Sequence, residues 1–185
     1  MPEPREPAAD VVIGSRRIYE GRKAGLRVDT IQLPTGRTSR REILEQRAVA
    51  AVVPLDEDGC VVMVRQYRLA AEDVLLEIPA GVIDEGETPE EGAQRELAEE
   101  TGVRAGMLTK LAEFYVSPGV STEVIHLFLG EDLQPASAAA DEDEDIVVQK
   151  VPLSTAVLMA ERNEFADAKT ITGVLLAARA RRLLH

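Results

Sequence analysis

The chain has 185 residues, 45% hydrophobic and 29% charged, which suits one folded domain with room for a small extension. Its 21 basic and 33 acidic residues leave a net charge of −12, which argues against a nucleic-acid coat protein, whose phosphate contacts need clustered Lys and Arg. Cys60 is the single cysteine, so no intrachain disulfide can form, and no apolar run approaches the roughly 20 residues of a membrane span.

In chain order, residues 1–10 carry acids and prolines without the apolar stretch of a signal peptide and read as a flexible tail. Segments 11–19 and 26–33 have the β-branched content of strands, with Leu33-Pro34-Thr35-Gly36 supplying a turn, and 38–44 is a third, charged strand. Residues 49–55 form a strongly apolar strand, Asp56-Glu57-Asp58-Gly59 turns, and 60–66 returns. Cys60, in an apolar run, reads as a small buried thiol and not as a nucleophile. After a short strand at 74–78, Pro79-Ala80-Gly81 breaks the chain. A helix then runs from 88 to 101, with Thr88 as N-cap, Pro89 in the first turn, Glu91 completing a capping box and Gly102 ending it. Strands follow at 111–115 and 124–129, an acidic small-residue loop at 138–144, a strand at 146–151, and helices at 154–161 and 168–184. The mixture lacks regular βαβ alternation and implies α+β or an α/β/α sandwich.

Within the helix, at about 100° per residue, Ala93, Leu97, Ala98 and Thr101 share a core-facing side. Glu96, Glu99 and Glu100 share the neighbouring arc at spacing i, i+3, i+4, where like charges repel. A hard divalent cation relieves that repulsion, and Mg²⁺ takes oxygen ligands while sharing its shell with phosphates. Taken alone, such an arc is more often a solvated face.

The residues around it decide between the two. Gly81, then Glu87, then Arg95-Glu96-Leu97-Ala98-Glu99-Glu100-Thr101-Gly102-Val103 resembles the Nudix box, G-x5-E-x7-R-E-U-x-E-E-x-G-U with U aliphatic, and every fixed position is matched. The resemblance implies a Nudix fold with a mixed sheet, preceded by a small antiparallel β extension. It divides the chain into the tail, a dimerisation extension at 11–45 and a hydrolase domain at 46–185. It implies Glu96, Glu99, Glu100 and the Ala80 carbonyl as metal ligands, with Glu87 supporting them. Arg95 orients a glutamate, while Gly81 and Gly102 serve backbone geometry. The expected cofactor is Mg²⁺, with Mn²⁺ or another divalent ion able to substitute, as two or three ions with substrate bound.

Ser117-Pro118-Gly119, with Pro118 fifteen residues past Val103, resembles the ADP-ribose pyrophosphatase subfamily, as does Leu75-Leu76-Glu77-Ile78-Pro79-Ala80-Gly81 leading into the box. That likeness implies substrate contacts from Arg41 and Glu42 on the adenosine side, from Arg68 at the diphosphate or terminal ribose, and from Pro118 and Gly119. A glutamate in the run Asp141-Glu142-Asp143-Glu144-Asp145 would act on the attacking water, and position favours Glu142 over Glu144; Glu99 and Glu100 are the further catalytic candidates. The implied reaction is hydrolysis of ADP-ribose to AMP and ribose 5-phosphate by a cytoplasmic homodimer, with a nucleotide sugar as its small-molecule partner and neither nucleic acid nor membrane bound. Another sugar nucleotide or a dinucleoside polyphosphate is the alternative substrate. A nucleotide-sensing module without chemistry ranks lower, because no box glutamate is lost.

Overall fold

The computed structural model describes residues 8–137 and 145–183. They form two compact units, one of Met1–Arg47 with Tyr115–Glu123, the other of Ala48–Phe114 with Val124–His185.

The first unit is an antiparallel meander of β1 (Val11–Glu20), β2 (Ala24–Gln32) and β3 (Thr38–Gln46), with β2 in the middle. The turn after β2 closes through Gly36 N–H donating to the Leu33 carbonyl at 2.8 Å, with Gly36 at φ 82°. All ten residues of β1 are exposed, including Val11, Val12 and Ile13. The segment Tyr115–Glu123 is stitched to β3: Leu44 N–H donates to the Val120 carbonyl at 2.7 Å, and Thr122 N–H donates to the Leu44 carbonyl at 3.0 Å.

The second unit contains two small sheets and three helices. One sheet has the order β10 (Val147–Pro152), β5 (Cys60–Arg68), β6 (Asp73–Glu77), antiparallel throughout. The other has the order β7 (Ala80–Val82), β4 (Val49–Pro54), β9 (Val124–Pro135), β8 (Val103–Tyr115). Here β4 runs antiparallel to β7 and parallel to β9, so the sheet is mixed. The helices are α1 (Pro89–Thr101), α2 (Leu153–Glu161) and α3 (Ala168–Ala180).

The side-chain period of two explains why β4 is apolar throughout. Ala51 and Val53 join Leu127 of β9 in a core with Ala156 and Val157 of α2 and Val174 and Ala177 of α3. Ala50 and Val52 face the other way, with Phe128, and pack on Ala93 and Leu97 of α1. Helices therefore cover both faces, giving an α/β/α sandwich. No helix among the described residues is long and apolar enough to cross a membrane.

Several elements differ from the sequence expectation: β9 runs on to Pro135 and α3 ends at Ala180. β8 starts at Val103 instead of residue 111, because an edge strand needs no continuous apolar face: its first half is mostly exposed, with only Ala105 buried. Residues 80–82 form β7, where the sequence suggested a break, since β4 pairs with them directly. Cys60 opens β5 and is only partly buried, being at the mouth of the turn where its N–H donates to Asp56 Oδ1 at 2.8 Å.

Candidate active site

The helix α1 begins as its sequence dictates. Thr88 is extended at φ −75° and ψ 157°, its hydroxyl accepts from Glu91 N–H at 3.2 Å, and Glu91 accepts in return from Thr88 N–H at 2.8 Å. The Thr88 amide, and after it the Thr88 hydroxyl at 3.0 Å, donate to the Glu91 carboxylate and hold it below the usual range. Gly102 ends the helix at φ 71°, its N–H donating to the Ala98 carbonyl. With both ends fixed and Leu97 fully buried, the arc carrying Glu96, Glu99 and Glu100 has a set orientation.

Arg95 is the hub of that arc. Its Nε donates to Glu87 Oε1 at 2.8 Å and its Nη2 to Glu87 Oε2 at 2.9 Å, a bidentate pair. Nη2 also donates to the Val82 carbonyl at 2.9 Å. Nη1 donates to Glu96 Oε1 at 2.7 Å and to Glu99 Oε2 at 3.1 Å. The arginine thus ties the loop after β7 to two of the three clustered glutamates. Its hydrogen bonds, with a further one from the Asp84 amide, lower the Glu87 carboxyl from 4.5 to about 2. Reciprocally, Glu87 and Glu96 raise the Arg95 guanidinium, against the opposing effect of burial.

Glu96 lies against the backbone of β7. A Cβ built on Gly81 would overlap the Glu96 carboxyl group, so only a residue without a side chain lets that carboxylate rest there. Next to it, the Ala80 amide donates to Glu100 Oε2 at 3.2 Å. Two of the three glutamates are therefore seated on consecutive residues of β7.

This donor set suits a hard divalent cation: carboxylate oxygens, half-buried, on one helical arc beside a backbone segment. The cradle at Gly81 is the local observation that fits it, because it spends a glycine on positioning one carboxylate. Among the described residues no three Asp, Glu, His or Cys side chains converge tightly enough to hold an ion as they stand. The Arg95 guanidinium supplies the neutralising charge to Glu96 and Glu99 in this arrangement.

Arg68, at the end of β5, donates through Nε to Glu77 Oε2 at 2.7 Å. Arg41 and Glu42 lie on β3 of the first unit, where Arg41 donates to Ser39 Oγ at 2.9 Å and to the Arg40 carbonyl at 3.1 Å, while Glu42 is exposed opposite Val28. Pro118 and Gly119 sit in a turn of the same unit, closed by Val120 N–H and Ser121 N–H donating to the Ser117 carbonyl at 3.0 and 2.8 Å. The structure thus fastens the Ser117-Pro118-Gly119 turn to the strand that carries Arg41 and Glu42. Glu142 and Glu144 lie outside the described residues. Sequence reasoning missed Glu77, which is 3% exposed, and its partner Lys169. The signal was a lone glutamate within Leu75-Leu76-Glu77-Ile78, where an apolar strand residue would be ordinary.

A model of the NUDIX domain matches residues 44–173. An ADP-ribose pyrophosphatase of Bacillus subtilis strain 168 is 41% identical over 160 residues, covering 85% of this chain and 86% of that protein. A GDP-mannose pyrophosphatase of Citrobacter koseri is 39% identical over 142 residues, covering 71% of this chain and 74% of that protein. A solved structure described as an ADP compounds hydrolase superposes with a TM-score of 0.87 over 97% of both chains, at 23% identity, a likeness of fold.

Proposed function

The chain belongs to the Nudix family, and on that premise we propose that it is a divalent-metal-dependent pyrophosphatase of ADP-ribose. Water adds to one phosphorus of the diphosphate, the bridging P–O bond breaks, and AMP and ribose 5-phosphate leave. The observation that carries this reading is the arc on α1, where Arg95 and the bare backbone at Gly81 seat Glu96 beside Glu99 and Glu100.

Hydrolases of this kind are metal dependent in general; we assign Mg²⁺, replaceable by Mn²⁺ or another divalent ion, as two or three ions with substrate in place. A bound divalent cation neutralises phosphate charge and lowers the pKa of a water it holds. Glu96, Glu99, Glu100 and the Ala80 carbonyl are the groups that hold it. Glu142, or else Glu99 or Glu100, orients and deprotonates the attacking water. Arg95 keeps Glu96 and Glu99 aligned, since a guanidinium fork fixes direction as well as charge. Glu87, kept ionised by Arg95, holds that guanidinium in place. Arg68 meets the diphosphate, Arg41 and Glu42 meet the adenosine side, and Pro118 and Gly119 shape the turn beside it. Residues 11–45 act as a dimerisation extension to the hydrolase domain at 46–185, and the working form is a cytoplasmic homodimer.

A second reading, hydrolysis of GDP-mannose, is favoured by the relative of that name. Steady-state hydrolysis of ADP-ribose and GDP-mannose with Mg²⁺, with and without chelator, separates the two. Chelator-sensitive AMP release, with kcat/KM at least about tenfold above that for GDP-mannose, is the expected outcome. The reverse preference replaces the substrate and keeps the chemistry. Glu100→Gln should abolish turnover with the fold intact, and near-normal activity there removes the metal-site assignment.

A further inference from the structure

The Glu77 carboxylate is held by two cations at once in a buried position. Oε2 accepts from Arg68 Nε at 2.7 Å and Oε1 accepts from Lys169 Nζ at 2.7 Å, with the Glu77 side chain only 4% exposed. Lys169 belongs to the first turn of α3. There Asp167 caps the helix by accepting from Thr170 N–H at 2.9 Å, and the same carboxylate oxygen accepts from Lys169 Nζ at 3.0 Å. The next residue along the chain is clamped as well, because Ile78 N–H donates to the buried Thr170 hydroxyl at 3.0 Å. The N-terminus of α3 thus grips Glu77 and Ile78 directly before Pro79-Ala80-Gly81.

The consequence falls on Arg68. Its Nε is taken by Glu77, while its two Nη groups make no hydrogen bond or ion pair with any described residue. The Arg68 side chain is 35% exposed, against 4% for its partner. A guanidinium anchored at Nε by a buried carboxylate has its rotation about the side-chain axis stopped, and its terminal fork is left to face an incoming anion. Such a fork matches two oxygens of a phosphate and loses less rotamer freedom on binding than a loose arginine does.

We propose that Glu77 and Lys169 are positioning residues for substrate phosphate: Lys169 fixes Glu77, and Glu77 presents the Nη pair of Arg68 to the diphosphate. This rests on the reading of Arg68 as a diphosphate ligand. The carboxylate neither touches substrate nor moves a proton. Its contribution is to the affinity for a diphosphate, so it acts on KM and not on the chemical step.

A double-mutant cycle on Glu77→Gln and Arg68→Ala tests this, read in two assays. One is the KM and kcat for whichever nucleotide sugar the wild-type enzyme hydrolyses. The other is calorimetric binding of inorganic pyrophosphate, which needs no turnover. Glu77→Gln should raise KM about tenfold, with kcat within about threefold, and weaken pyrophosphate by a similar factor. On the Arg68→Ala background the same change should do nothing more, because the group it positions is gone. If Glu77→Gln does not fold, Glu77→Asp keeps the charge beside Lys169 while drawing the carboxylate back, and the same non-additive KM shift is expected. Additive losses, a fall in melting temperature with KM unchanged, or a wild-type protein that does not bind pyrophosphate would each overturn the proposal. Loss of turnover on ADP-ribose alone, with the pyrophosphate cycle intact, overturns the substrate reading and leaves the positioning role standing.

Discussion

Replacing Gly81 by alanine separates what the backbone of β7 does for the fold from what it does for the carboxylates. The added methyl overlaps the Glu96 carboxyl group, to which its three nearest atoms all belong. Ordinary contact between carbon atoms needs about 3.5–4 Å, so the carboxyl must retreat by more than about 1 Å. It is the far end of a flexible side chain, so it can do so without disturbing the strand. The backbone at residue 81 is outside the left-handed region, and alanine there reduces the freedom of the unfolded chain, a gain of about 0.4–1 kcal/mol. Against this stands a weakened charge-assisted bond from Arg95, now 2.7 Å, at about 1 kcal/mol. The two nearly cancel, and the melting temperature should stay within about 3 °C of the parent. Catalysis has no such compensation: a displacement of about 1 Å in a positioned group costs about 100-fold in rate. Circular-dichroism melting and metal-dependent hydrolysis, measured on the same sample, give both numbers. A variant with kcat/KM within about twofold of the parent would show that the Gly81 cradle does not set the working position of Glu96. A fall in melting temperature of about 10 °C or more, well beyond the expected change of about 3 °C, would show that the overlap is borne by the backbone and not by the side chain.

Two further outcomes follow from the same site. Glu87 has its carboxyl lowered from 4.5 to about 2, so the stability it contributes is fully present above the unfolded value of about 4.5 and is lost as pH falls through about 2. Chemical denaturation of Glu87→Gln should therefore show a deficit of about 1–2 kcal/mol near neutral pH, allowing for solvent screening, that shrinks between pH 4.5 and 2; a deficit independent of pH would mean that charge is not its origin. Thr88→Ala removes the hydroxyl that accepts from Glu91 N–H and should lower stability by about 1 kcal/mol, or about 2–4 °C in melting temperature, and an unchanged melting curve would argue that packing alone holds the start of α1.

Local chemistry made the acidic helix readable from the sequence. Thr88, Pro89, Glu91 and Gly102 carry their positions in their residue types, and the glutamate arc follows from helical spacing alone. The alternation that buries β4 on both sides is likewise visible as an unbroken apolar run. The bonds of Arg95 were only partly legible: helical spacing offers Glu91 or Glu99 one turn away, of which Glu99 is bonded, whereas Glu87 and the Val82 carbonyl are brought to it by the loop. Glu77 and Lys169 were hidden for a plainer reason. They are 92 residues apart, and nothing in either neighbourhood says that β6 and the start of α3 will meet. Pro79-Ala80-Gly81 looked like a chain break because proline and glycine punctuate regular structure, whereas here the bareness of Gly81 serves a side chain fifteen positions later.

The parallel pairing of β4 with β9 sets how late the central sheet of this protein can close. Val49 lies opposite Ile125, and the ladder closes only when Pro54 meets Gly130, so the centre of the sheet joins stretches that leave the ribosome well apart in time. The α1 turn, by contrast, is a local product with its own caps, and a helix start of that kind organises within microseconds. A nascent chain that has passed residue 103 therefore holds every residue of the acidic helix, with β4 still lacking its neighbour β9. Throughout that interval Val53 stays open on an unfinished strand, because the face it shares with Ala51 is covered by α2 and α3, which come last in the chain.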